Sequence, residues 1–578
     1  MTRAAQGHSR VFIVSALAIF LLTFVFFAWD TGNTSLWDID EPIYAQSLKD
    51  QIANHNLVVP TYNARLMPDK PALNYWLMWT GVKVLGMNSS GLRIGSALVG
   101  GLLILYLILA SRRLYGEAAA LIAGLLTATA LHSTIIFRSA TPDPLLILMV
   151  SIGLLSYLRA YLYADIRSRE LYISYAAMAL ATLDKGPIGF LLPGLIIVLF
   201  LLLRRQLSFL WQEGRLSIGV PLFLLIMLPW YLAVGIETHW VWDRLFIFQQ
   251  NIGRFNDSMQ GHRGPWVYYL ISTFLGMLPW SIFLPQVFHD LWLSRRHFRV
   301  AQPQNLFLVV WAAVWIGFFT LSATKLPNYV WEAYPPLFIL LAAYFARIRN
   351  GIAVAQRWSM GLSLSVLFIL GLAMSIFGGW IVPLREPHLP DMVEIGFPYG
   401  VAAVIAGIYV YRRRWTSAWM TLGAGSVALS ALLVLVITPP MNAVKPSSEM
   451  GQKIAQLQGA APYRLASWQW FQPSFLFYAG RGAMPILHLQ SLSELPRVLG
   501  SEPLYLVCPA SDVAAVQSAL PPSFQQKNIM TAYEIYSHEQ ITLLQIQKST
   551  VDSAMLRSSK QANATLGEAL HVRAALRP

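Results

Sequence analysis

Charge is what this sequence has least of. Asp, Glu, Lys and Arg make up 12% of its 578 residues and hydrophobic residues 56%, whereas soluble domains carry about 25% charge. So little polar surface cannot cover a globule in water, which excludes an ordinary soluble protein and makes the membrane the default class. Cysteine is scarcer still. Cys508 stands alone, so an intrachain disulfide and a cysteine zinc cluster are both excluded. No internal repeat is visible. The net charge of +14 is not gathered on one soluble stretch, so it is not a nucleic-acid footprint. The basic residues stand in short clusters between apolar runs, as Lys and Arg do on the cytoplasmic side of membrane proteins.

What is present is a long series of apolar runs. A bilayer core of about 30 Å needs about 20 apolar residues in a helix, and about thirteen segments answer to that criterion. They lie near 11–29, 92–110, 118–137, 144–163, 171–183, 188–203, 217–235, 266–288, 305–321, 330–345, 357–382, 398–411 and 415–438, of which 171–183 and 398–411 are short for a span. The first run follows Arg3 and Arg10 with no small-residue cleavage site after it, so it reads as a retained helix rather than a signal peptide. Arg112 and Arg113, Arg167 and Arg169, Arg204 and Arg205, Arg295 and Arg296, Arg347 and Arg349, and Arg412 to Arg414 fall on alternate connections. The positive-inside rule makes that face cytoplasmic, with the N-terminus inside and everything after Ile437 outside.

Composition changes after Pro439 and Pro440. Residues 441–548 mix short strand-like runs with amphipathic stretches and read as a small α/β domain on the outer side, with Gly480-Arg481-Gly482 as a turn. The polar tail 549–578 reads as disordered. The expected architecture is an all-α polytopic membrane domain over 1–440, including an outer loop from 30 to 91, followed by that periplasmic domain.

Two stretches of the outer loop could carry chemistry. Trp37-Asp38-Ile39-Asp40-Glu41-Pro42-Ile43-Tyr44 places three carboxylates just beyond a membrane helix. They suit a capped helix start, with Asp40 as N-cap and Pro42 in the first turn. They equally suit a base or cation anchor at the membrane surface. Met67-Pro68-Asp69-Lys70-Pro71-Ala72-Leu73-Asn74-Tyr75-Trp76 sets a Lys at the start of an aromatic amphipathic stretch. Its ammonium is a point charge for a phosphate at the bilayer surface, or else a side chain that snorkels.

These two segments resemble the bacterial aminoarabinose transferases, which share the GT-C fold with the protein mannosyltransferases. The resemblance lies in Asp-Glu-x-x-Tyr after the first membrane helix, Asp-Lys-Pro-x-Leu-x-Tyr-Trp further on, and Arg93 opening the next helix. It continues in Asp143, in Gly261-His262-Arg263-Gly264-Pro265-Trp266, and in Lys325-Leu326-Pro327-Asn328-Tyr329.

The resemblance implies a GT-C glycosyltransferase. It would move aminoarabinose or a similar sugar from undecaprenyl or another polyprenyl phosphate to lipid A, another envelope glycan or a protein, with inversion. Asp40 is then the candidate catalytic carboxylate, with Glu41 and Asp143 beside it in the catalytic set. Tyr44, Lys70, Arg254, Arg263, Lys325 and Tyr329 are candidate substrate contacts. Asp69 and His262 match positions that hold a divalent cation, zinc or magnesium; no nucleotide cofactor is implied. Such proteins commonly have Arg where this chain has Ile43, and Arg254, Arg263, Arg138 or Lys325 could replace its charge. Asp38 lies outside the matched motif, so a smaller part is expected of it. Lys185, in Leu183-Asp184-Lys185-Gly186-Pro187, reads first as a snorkelling Lys in a hairpin turn.

Three other readings compete. One is a protein O-glycosyltransferase of the same fold. Another is a flippase for a lipid-linked glycan, but transporters place ionisable residues near the midplane and show repeats, whereas here they gather in loops on one face. The last is a membrane scaffold with an outer interaction domain.

Overall fold

The computed structural model describes residues 3–253, 264–294, 301–353 and 355–549. Each expected apolar segment is helical. Eight helices among the described residues are long and apolar enough to cross a membrane. They become nine if Tyr268–Gly276 and Trp280–Ser294, bent by 110°, form one broken span. This is fewer than the sequence count for identifiable reasons. The run α4 (Ser89–Ala128) counts once by length but is two helices broken at Gly116, whose φ is 85°, and so contains both expected segments 92–110 and 118–137. Its arms fold back, so that Gly124 meets Ile108 and Ile104. Three further expected segments fall below the length or hydropathy that spanning requires: Arg167–Lys185, Ile188–Arg204 and Tyr334–Arg349. The first of these carries charge at both ends.

The chain divides into two compact units. One comprises Met1–Leu36 and Ser47–Met441, the other Trp37–Gln46 and everything from Asn442 onward. The second unit begins near the change of composition at Pro439 and Pro440, and it also takes in the carboxylate motif of the first loop.

In the helical unit, α1 (Arg3–Ala28) packs on α4 through Phe20 and Phe24 against Gly101. Small residues of this kind let membrane helices approach closely. Val11, Val14 and Leu22 on α1, and Leu225, Ile369 and Leu372 elsewhere, are exposed. Lipid is the medium that such a surface suits. Between α1 and α4 lie α2 (Asp40–Ala53), the short ribbon β1 (Thr61–Tyr62) and β2 (Arg65–Leu66), and α3 (Leu73–Leu85). After α4 come the short α5 (Leu131–Ile136), then α6 (Asp143–Leu162), α7 (Arg167–Lys185) and α8 (Ile188–Arg204), linked by tight turns.

The ends of these helices sort by chemistry. Arg113 pairs with Asp165 at 2.9 Å and Arg167 with Glu213 at 2.7 Å, at the end where α6 leaves and α7 begins. The opposite end gathers Asp143, Lys185 and Asn328.

The C-terminal unit is a five-stranded mixed sheet in the order β4-β3-β5-β7-β6. β3 (Arg464–Ser467), β4 (Ile486–His488) and β5 (Leu504–Pro509) are parallel. β6 (Phe524–Glu534) and β7 (Glu539–Lys548) form an antiparallel hairpin on β5. The central β5 is buried throughout, as an apolar run with both faces covered should be. Its Cys508 packs with Leu506, Val516 and Leu544. The described helices and strands of this unit thus form a small α/β fold, and the tail from 550 lies outside the described residues.

Candidate active site

In the helical unit the site is built where helix ends meet. α6 begins at Asp143, just after Pro142, and α7 ends at Lys185. Gly186 then turns the chain with φ 88°, and a Cβ there would collide with the Phe246 ring. Only glycine accepts both conditions, so the turn presents Lys185 at a fixed angle. Its ammonium donates to Asp143 Oδ1, and Asn328 Nδ2 donates to Asp143 Oδ2 at 3.0 Å. The Lys185 ammonium also sits 5.4 Å from the centre of the Tyr329 ring. Lys185 is thus no snorkelling side chain but the partner of a buried carboxylate. Nothing in the spacing of residues 143 and 185 announces it; the signal available was a charged residue beside a Gly-Pro turn.

Asp184 is fully buried, and neither of its carboxylate oxygens accepts a hydrogen bond among the described residues. It lies within electrostatic reach of Lys185, Asp143 and Lys70. The Asp-Lys-Pro motif and the Asp143 turn are therefore brought together by the fold.

Lys70 is pinned locally, its ammonium 3.1 Å from Asp69 Oδ1 and 3.2 Å from Asp69 O. The loop leading to it is held by three indole N–H donors. Trp76 donates to Leu57 O at 3.0 Å, Trp230 to Val58 O at 3.1 Å and Trp242 to Met67 O at 3.0 Å. These aromatics fit the headgroup level, where one end of the ring is apolar and the other polar.

Other basic candidates are engaged in holding the chain. Lys325 donates to the carbonyls of Phe319, Thr320 and Ser322 at 3.1, 2.6 and 2.8 Å, closing the C-terminus of the helix Pro303–Leu321. An ammonium has three donors and here uses all of them on a helix end. Arg138 donates to the carbonyls of Phe26 and Phe27 at the end of α1. Arg93 donates to Thr31, Thr34 and Ser35 in the stretch that follows. Arg254, His262 and Arg263 lie outside the described residues.

In the C-terminal unit the carboxylate motif is a structured turn. Helix α2 begins at Asp40, so Asp40 occupies the first helical position rather than the cap, and it is exposed. Glu41 is buried and its Oε2 accepts the Trp37 N–H at 2.7 Å. Tyr44 is buried as well. Asp38 accepts from Ser474 N at 2.9 Å and from Ser474 Oγ at 2.7 Å. Burial raises the Asp38 carboxyl above its ordinary value of 3.8, against the hydrogen bonds from Ser474 and the charge of Lys445, which lower it.

No three His, Cys, Asp or Glu side chains among the described residues are grouped to hold a metal ion. Asp69 supplies one carboxylate, already ion-paired with Lys70.

A bundle of membrane helices with charged groups at one end and a small α/β unit is the architecture of the GT-C membrane glycosyltransferases. The fold matches that of ArnT from Cupriavidus metallidurans bound to undecaprenyl phosphate, with a TM-score of 0.75 at 22% identity over 93% of this chain and 98% of that one. Residues 69–232 match the family model of dolichyl-phosphate-mannose-protein mannosyltransferase. Undecaprenyl phosphate-alpha-4-amino-4-deoxy-L-arabinose arabinosyl transferase 2 of Pseudomonas fluorescens (strain Pf0-1) is 29% identical over 72% of this chain and 74% of its own length. The corresponding transferase of Pseudomonas aeruginosa (strain LESB58) is 32% identical over 62% of this chain and 65% of its own length, just under two thirds. The chain is a multi-pass membrane protein with the GT-C fold, homologous to the bacterial aminoarabinose transferases.

Proposed function

We propose that the protein transfers aminoarabinose from undecaprenyl phosphate to lipid A in the bacterial inner membrane. The observation that carries this reading is the similarity to aminoarabinose transferases across most of the chain, combined with the charged cluster of Lys70, Asp143, Asp184 and Lys185 at one end of the helices. An acceptor phosphate oxygen attacks the anomeric carbon. The bond from that carbon to the lipid phosphate breaks, undecaprenyl phosphate leaves with the electron pair, and the configuration inverts. An acceptor that is already an anion needs little deprotonation, so Asp40 chiefly orients it. Lys70 and Lys185 offset the charge growing on the departing phosphate. A divalent cation held by Asp69 and His262 would add charge neutralisation at the same phosphate. The N-terminus lies in the cytoplasm, and the site and the C-terminal unit lie in the periplasm, as the ion-paired arginines at the opposite helix ends favour.

Mass spectrometry of lipid A and envelope glycans, with and without the gene, tests the reading. Loss of the aminoarabinose adduct is expected. Unchanged lipid A with an altered protein glycan would instead favour the protein O-glycosyltransferase reading.

A further inference from the structure

Segment 37–46 is fastened to the α/β unit at its two ends. At its start the Trp37 ring lies under the Lys445 ammonium, 4.5 Å from the ring centre. Such a contact contributes about 0.5–1 kcal/mol when exposed. Next, both Asp38 oxygens are taken by Ser474, one by its N–H and one by its hydroxyl. Ser447 Oγ lies 2.8 Å from the same Ser474 hydroxyl. At its end Gln46 Nε2 donates to Gly482 O at 3.2 Å, in the Gly480-Arg481-Gly482 turn. Within the segment Glu41 folds back onto the Trp37 N–H.

Asp40 sits between these fastenings. Two residues of extended chain span at most about 7 Å, so a shift at Asp38 passes to Asp40 with little slack. We propose that Asp38 and Ser474 are positioning residues, through which the C-terminal α/β unit holds Asp40 in place for transfer. This rests on the reading of Asp40 as the catalytic carboxylate. It gives the α/β unit a part in the reaction: it is a brace for the acceptor-orienting group. Asp38, which lies outside the family motif, then matters through its neighbour.

The test is a mutant cycle on the full-length protein in detergent, with undecaprenyl phosphate-linked aminoarabinose as donor and lipid A as acceptor. Ser474→Ala removes the hydroxyl donor but leaves the backbone N–H. Asp38→Asn keeps one acceptor oxygen and loses the other. Each is expected to lower kcat on the order of tenfold, since small misplacements of reacting groups are costly, with the donor KM unchanged. In the Asp40→Asn background both should be silent, because there is no longer a carboxylate to position.

Equal losses with and without Asp40 would overturn the proposal, since the two residues would then act independently of it. So would full activity of both single variants while Asp40→Asn is crippled, which leaves the reading of Asp40 standing. Full activity of Asp40→Asn itself would remove the reading and the proposal together. Should Ser474→Ala reduce the yield of folded protein, Asp38→Asn carries the same cycle.

Discussion

Lys185 gives its ammonium to Asp143 across 42 positions of sequence, from the last residue of α7 to the first of its neighbour α6. Both side chains are largely shielded from solvent. Breaking such a pair by removing one partner leaves a buried charge uncompensated and costs about 3–5 kcal/mol. Lys185→Ala should therefore lower the unfolding temperature of the purified protein markedly. Asp143→Asn combined with Lys185→Gln should recover most of that loss while transfer stays low. Equal stability of Lys185→Ala and the parent would show that the pair carries no load.

Asp40→Asn separates chemistry from helix architecture. The amide keeps the volume and loses the charge. At the first helical position an exposed carboxylate adds about 0.3–1 kcal/mol through the helix dipole, so stability should barely change. Turnover should fall by a factor on the order of 10² or more. Steady-state transfer measured with donor and acceptor saturating decides it; near-parental turnover would make the carboxylate structural.

A cation bound by Asp69 and His262 predicts that each alanine variant holds less divalent metal by elemental analysis and transfers more slowly. Activity indifferent to chelator and to both substitutions would remove the metal from the reaction.

Orientation is open to cysteine labelling, because the native Cys508 is buried. Arg65→Cys and Arg412→Cys both lie at exposed positions. The first should react with a membrane-impermeant thiol reagent added from the periplasmic side and the second should not. Labelling of both or of neither would refute the assignment.

Asp38 predicts an effect of pH. Burial raises its folded-state value above 3.8, Lys445 and Ser474 pull it down, and Glu534 adds to the rise. Because the folded state holds this proton more tightly, the group contributes stability below its unfolded value, and that contribution is lost as pH rises through the folded value. At pH 7 the charged form is therefore a cost, and Asp38→Asn should not lower the unfolding temperature of the C-terminal unit. As pH falls through the raised value, the bonds from Ser474 weaken, so the acid limb of kcat should move in Asp38→Asn. An unchanged limb would take Asp38 out of the profile.

The apolar runs, their alternation with arginine clusters and the Asp-Glu and Asp-Lys-Pro motifs are local features of composition and order. They made the membrane class, the helices and the family legible from sequence alone. The short strands of the α/β unit were legible too, because the run from Leu504 to Cys508 is too apolar for a loop and too short for a span. The break at Gly116 falls between the two segments read at 92–110 and 118–137, but hydropathy does not see that Tyr268–Gly276 bends against its continuation.

Pairing belongs to the tertiary structure. That Lys185 meets Asp143, that Lys325 spends its donors on a helix end, and that Asp38 is held by Ser474 436 positions away follow from which helix ends and loops the fold brings together. A charged side chain reads alike in sequence whether it faces water or a partner. Only burial decides which, because removal from water makes an unpaired charge costly.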